Sequence, residues 1–128
     1  MDYRDDRIYQ QLHELIRMAG VNITYDVIPQ EPEECVSAMA YIMREESREH
    51  GTIIMPIDGE AFPDADTACI ALGHEMGHIL AQISGSDCDT EGLRKIREIN
   101  CELIGAYLVR LAEMMVNTKL LAELRGLA

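Results

Sequence analysis

Apolar side chains recur at Ile8, Leu12, Leu15, Ile16 and Ala19, a helical spacing that predicts a first helix over residues 3–19, closed by Gly20. The period then shortens. Val21 to Ile28 alternates apolar and polar positions, is rich in β-branched residues and stops at Pro29, which predicts a strand. Residues 30–50 support two readings. Pro32-Glu33-Glu34 would start a helix carrying Cys35, Met39, Ile42 and Met43 on one face and ending before Gly51. Alternatively, Ala38–Arg44 and Thr52–Pro56 pair as a hairpin around Glu45–Gly51, giving three consecutive strands.

Further along, Asp58-Gly59-Glu60 has loop character, and Pro63-Asp64-Ala65-Asp66-Thr67 offers several caps for a helix over residues 65–83. The polar stretch Ser84–Asp89 follows, and Asp89 or Thr90 would cap a long helix reaching about Val116. Leu93, Ile96, Ile99, Leu103, Ala106 and Leu111 are expected to form its buried side. Asn117 is expected to end it before an amphipathic tail, Leu120–Leu127. Helices and strands that occur in separate runs predict an α+β fold.

Composition narrows the class. With 128 residues, 48% of them hydrophobic and 27% charged, the chain is expected to form a single domain, 1–128, around a true core. A net charge of -12 argues against gripping a phosphate backbone, so nucleic acid is excluded as a direct partner. The lack of a long apolar run or a basic leader excludes a membrane partner and points to the cytoplasm. Cys35, Cys69, Cys88 and Cys101 are widely spaced with no C-x-x-C pair, and are expected to be reduced thiols. None of this bears on the oligomeric state.

The most specific feature is Gly73-His74-Glu75-Met76-Gly77-His78 inside the second strong helix, an H-E-x-x-H match. Its three fixed residues arise by chance in roughly one chain of this length in a few hundred. His74 and His78 lie one turn apart on one helical face, where two imidazoles can share a Zn²⁺ ion. Glu75 beside them could take a proton from water that the ion has acidified. A catalytic zinc needs a third protein ligand. The long helix offers Glu98 and Glu102, one turn apart, with Cys101 between them and Asp87, Cys88 and Asp89 in the preceding loop. Glu102 is preferred, because Ile99, Gly105, Ala106 and Val109 would continue its face as a surface able to lie against the His74 helix; Glu98 is the alternative. Cys69 and Met76 fall on the far side of the motif helix and are expected in the core. The strand Thr52–Pro56, just ahead of that helix, could present a free edge to an extended peptide.

The order of elements and the sequence Gly73–His78 resemble the small zincin-type metallopeptidases of the ImmA/IrrE family. Gly51-Thr52-Ile53-Ile54-Met55-Pro56 looks like that family's strand ahead of the motif, with Ala38-Met39-Ala40-Tyr41 as its hairpin partner. The resemblance implies a zincin-like fold: an N-terminal helix, a small three-stranded sheet, the H-E-x-x-H helix and a long Glu-bearing helix. It implies Zn²⁺ on His74, His78 and a downstream Glu, with Glu75 as general base. It also implies a hydrolase that cuts peptide bonds of regulatory proteins such as repressors, in mobile elements or stress responses. The same chain could instead be a zincin-shaped binding or regulatory protein with structural zinc and no peptidase activity.

Overall fold

The computed structural model describes residues 2–28, 39–45, 48–83 and 91–126. The helix-start residues Pro32–Glu34, Cys35, and the loop residues Asp87, Cys88 and Asp89 lie outside the described residues.

The first predicted helix is divided in two. A short 3₁₀ turn, η1 (Tyr3–Asp5), is capped by Asp2, and α1 (Arg7–Met18) begins afresh after Asp6. The Asp6 carboxylate accepts from the backbone N–H of Ile8 and of Tyr9, both at 3.0 Å, so this residue serves better as a cap than as a helix interior. At the other end Gly20 has φ 87°, its N–H reaches Arg17 O and that of Val21 reaches Ile16 O. These paired bonds close α1 as a Schellman motif, where a side chain at Gly20 would be strained.

The strands are β1 (Asn22–Asp26), β2 (Met39–Glu45) and β3 (Arg48–Pro56), in sheet order β1-β3-β2. β1 runs parallel to β3 in the register Asn22↔Thr52 to Asp26↔Pro56, and β2 runs antiparallel to it from Met39↔Ile54 to Glu45↔Arg48. Residues 39–45 are therefore strand, the hairpin alternative for that stretch. β3 is the central strand, with neighbours on both sides, which corrects the expectation that Thr52–Pro56 offers a free edge. Among the described residues the edges belong to β1 and β2. Ile53 and Met55 of β3 are fully buried.

Helix α2 (Ala65–Ile83) follows the predicted range. Asp64 caps it, accepting from the Thr67 N–H at 2.8 Å and the Thr67 hydroxyl at 2.7 Å. Ala68, Cys69, Leu72, Met76 and Ile79 are its buried stripe, and they join Tyr9, Leu12, Ile16, Ile53 and Met55 in one apolar cluster. Cys69 and Met76 are in the core, as expected. The α+β class holds.

Helix α3 (Glu91–Leu124) departs from expectation in two respects. It passes straight through Asn117, whose cost inside a helix is only a few tenths of a kcal/mol, and stops at Gly126, with φ 68°. Its buried side is also not the expected one. Cys101, Gly105 and Ala112 are buried, whereas Ile96, Ile99, Leu103 and Ala106 face solvent. The strongest apolar periodicity misleads here because α3 packs through small residues, not large ones. Among the described residues, no helix is long and apolar enough to cross a membrane.

Candidate metal centre

Helices α2 and α3 lie unusually close. A Cβ added at Gly77 would come 2.8 Å from Cys101 Cα, and one added at Gly73 would come 2.8 Å from the Gly105 carbonyl oxygen. Glycines on one helix thus face a small residue and a glycine on the other, so the backbones touch and the two helices cross without intervening side chains. His74 and His78, each next to one of these glycines, are held at the helix-helix seam.

Glu98 stands one turn before Cys101 and two turns before Gly105, on the stripe of α3 that faces α2. From there its carboxylate reaches both imidazoles: Oε2 lies 3.2 Å from His74 Nε2, and Oε1 lies 3.3 Å from His78 Nε2. The two Nε2 atoms are 3.0 Å apart. His74, His78 and Glu98 lie close enough together to bind a metal ion. Around an ion with ligand bonds near 2.0–2.1 Å, tetrahedral donors are spaced by about 3.3 Å, so the three separations fit one small cation.

Glu98, the sequence alternative, thus takes the place expected of Glu102. The Glu102 carboxylate is 73% exposed and approaches the opposite ring nitrogen, lying 3.7 Å from His74 Nδ1. The preference for Glu102 rested on a face of Ile99, Gly105, Ala106 and Val109 lying against α2; Gly105 does meet α2, but Ile99 and Ala106 point to solvent. Cys101 is buried, with Sγ 3.5 Å from His78 Nδ1. Each imidazole therefore turns Nε2 toward Glu98 and has an α3 side chain behind Nδ1, an arrangement that fixes ring orientation in metal sites.

Glu75 follows His74 in α2 and is partly buried. Burial, and secondarily the Glu98 charge, push its carboxyl up to about 7, because a second negative charge is poorly tolerated in a desolvated place. The group can hold a proton or release it near neutrality.

The pairing of glycines across the two helices was the part of the site not read from the sequence, although Gly105 was expected on the contact face. Its signal was present: Gly73-x-x-x-Gly77 on α2 and Cys101-x-x-x-Gly105 on α3, small residues one turn apart on both helices. That pairing selects the α3 stripe containing Glu98. Comparison of the chain with protein-family models, with curated proteins and with solved structures found no match.

Proposed function

We propose that this chain is a zinc-dependent endopeptidase, with Zn²⁺ held by His74, His78 and Glu98 and with Glu75 as the general base. The observation that carries the reading is the convergence of three donor groups on one point, with the Glu75 carboxyl adjacent in sequence to one of them. Two imidazoles and a carboxylate are a donor set suited to catalytic zinc, which takes three protein ligands and leaves a position for water. When bound, the ion supplies Lewis acidity that polarises a carbonyl and acidifies water. Glu98 brings the negative charge that balances part of the cation. Glu75 would accept the proton from water and return it to the leaving amine, the work of a carboxylate placed next to the metal ligands. Cys101 and Glu102 keep the imidazoles oriented from behind. Among the described residues β2 is an edge strand in contact with α2, a place where an extended peptide could pair. The substrate class, a regulatory protein of repressor type, follows only from the likeness of the Gly73–His78 motif.

The test is zinc stoichiometry together with cleavage of a mixed peptide library by the zinc-loaded chain. One equivalent of zinc, cleavage by the parent and loss of cleavage in Glu75→Gln with zinc retained are expected. Absence of bound metal, or equal cleavage by parent and variant, would overturn the reading. Zinc binding with no cleavage at all would favour the alternative, a binding or regulatory protein in which the ion is structural.

A further inference from the structure

Helix α3 is apolar on two opposite sides. One side, carrying Cys101, Gly105 and Ala112, is buried against α2 and α1. The other carries Ile96, Ile99, Leu103 and Tyr107 in its first half and Met114, Leu121 and Leu124 in its second, all between 50% (Leu121) and 84% (Leu124) exposed. Steps of three and four residues line these positions up along some 42 Å of helix. Together they leave roughly 900 Å² in solvent, above the ~300–600 Å² of the largest patch on an ordinary monomer. It is close to the ~800 Å² that each partner of a standard interface buries.

We infer that this face is the interface of an antiparallel homodimer in which α3 packs against α3 of a second copy. The positions repeat as a seven-residue seam: Ile96, Leu103, Arg110, Asn117 and Leu124 on one line, Asn100, Tyr107, Met114 and Leu121 on the other. A two-fold axis passing between Leu108 and Val109 pairs the lines in a self-complementary way. Ile96 meets Leu121 of the second copy, and Leu103 meets Met114. The three polar interruptions also find partners, Arg110 over the Tyr107 ring and Asn117 against Asn100, a cation–π contact and an amide pair. Shifting the register by one heptad would set Arg110 against Met114 and Asn117 against Tyr107, so the sequence of this face selects one alignment. An unrelated partner would have no need of such symmetry. The seam lies across α3 from Glu98, so both metal centres face outward and the inference does not depend on the proposed function.

Sedimentation of the full chain over roughly 1–100 µM should give twice the 14.4 kDa chain mass. Leu103→Glu should weaken association at least ~100-fold by forcing a charge into the seam, with unchanged helicity because the position is exposed in the single chain. Register is read by cross-linking in a background with Cys35→Ser and Cys88→Ser. Leu103→Cys combined with Met114→Cys should oxidise to a covalent dimer, and Leu103→Cys alone should not. A chain that sediments as a monomer throughout, a Leu103→Glu variant as dimeric as the parent, or equal cross-linking by the single variant would each overturn the inference.

Discussion

Gly73 of α2 and Gly105 of α3 meet backbone to backbone: a Cβ on Gly73 would lie 2.8 Å from Gly105 O, and one on Gly105 would lie 2.8 Å from Gly73 C. Neither contact can be relieved by a side-chain rotation, so the helices themselves must separate. Gly105→Ala is therefore expected to lower stability by about 1–3 kcal/mol, although alanine alone would favour the helix by about 1 kcal/mol. Gly92, where an added Cβ meets nothing within 4 Å, is the control. Gly92→Ala should be neutral or mildly stabilising. Urea unfolding of the two variants decides whether close approach or helix propensity governs these glycines.

The same crossing sets the order of effects expected at the candidate metal centre. Glu98 contacts both Nε2 atoms, while Glu102 stands behind His74 at Nδ1. Glu98→Gln removes a charged donor and should reduce zinc affinity by well over ~100-fold; Glu102→Gln removes only orientation and should cost about 10-fold. Competition with a chromophoric chelator measures both. A larger loss in Glu102→Gln would exchange the two roles.

Much of this arrangement is legible in the sequence, and the failures have a common cause. Helix α2, its Asp64 cap and the pair His74 and His78 are local features, set by propensity and by spacing within one element. The third donor depends on how α3 is rotated against α2. Read as one face, Ile99, Gly105, Ala106 and Val109 point to Glu102, yet Ile99 and Ala106 are exposed. Contact here is made by Gly73, Gly77, Cys101 and Gly105, which contribute little to hydrophobic periodicity but allow the closest approach. The break expected at Asn117 failed for a different reason: tertiary packing along α3 outweighs one residue's weak preference, and only Gly126 supplies a real stop.

Tyr3 ties η1 to the end of the central strand. Its hydroxyl donates to the Pro56 carbonyl at 2.6 Å in a buried setting, and its ring meets Tyr9 and Phe62 edge-on at 5.0 and 5.2 Å. Tyr3→Phe keeps the ring contacts and leaves that carbonyl without its donor. A loss of about 1–2 kcal/mol follows, the cost of an unsatisfied buried acceptor. Thermal unfolding should place Tyr3→Phe clearly below the parent; an unchanged midpoint would mean that the hydroxyl contributes nothing to stability.

Glu75 makes the stability of the metal-free protein depend on pH. Its ordinary value is 4.5, and in the folded chain burial and the Glu98 charge raise it to about 7. Below pH 4.5 the carboxyl is protonated in both the folded and unfolded states and costs nothing. As pH rises from 4.5 to 7 the unfolded chain releases this proton before the folded chain does, so the folded state binds more protons and loses stability across that interval. Glutamine cannot ionise. Glu75→Gln should therefore gain on the parent as pH rises through this window, reaching an advantage of about 1 kcal/mol above pH 7 once the solvent still reaching the carboxyl is allowed for. A bound cation favours the ionised carboxylate and should shrink the difference. Paired urea titrations of parent and variant from pH 4.5 to 8, with and without zinc, separate these effects. A gap that does not change with pH would show that Glu75 titrates at its ordinary value.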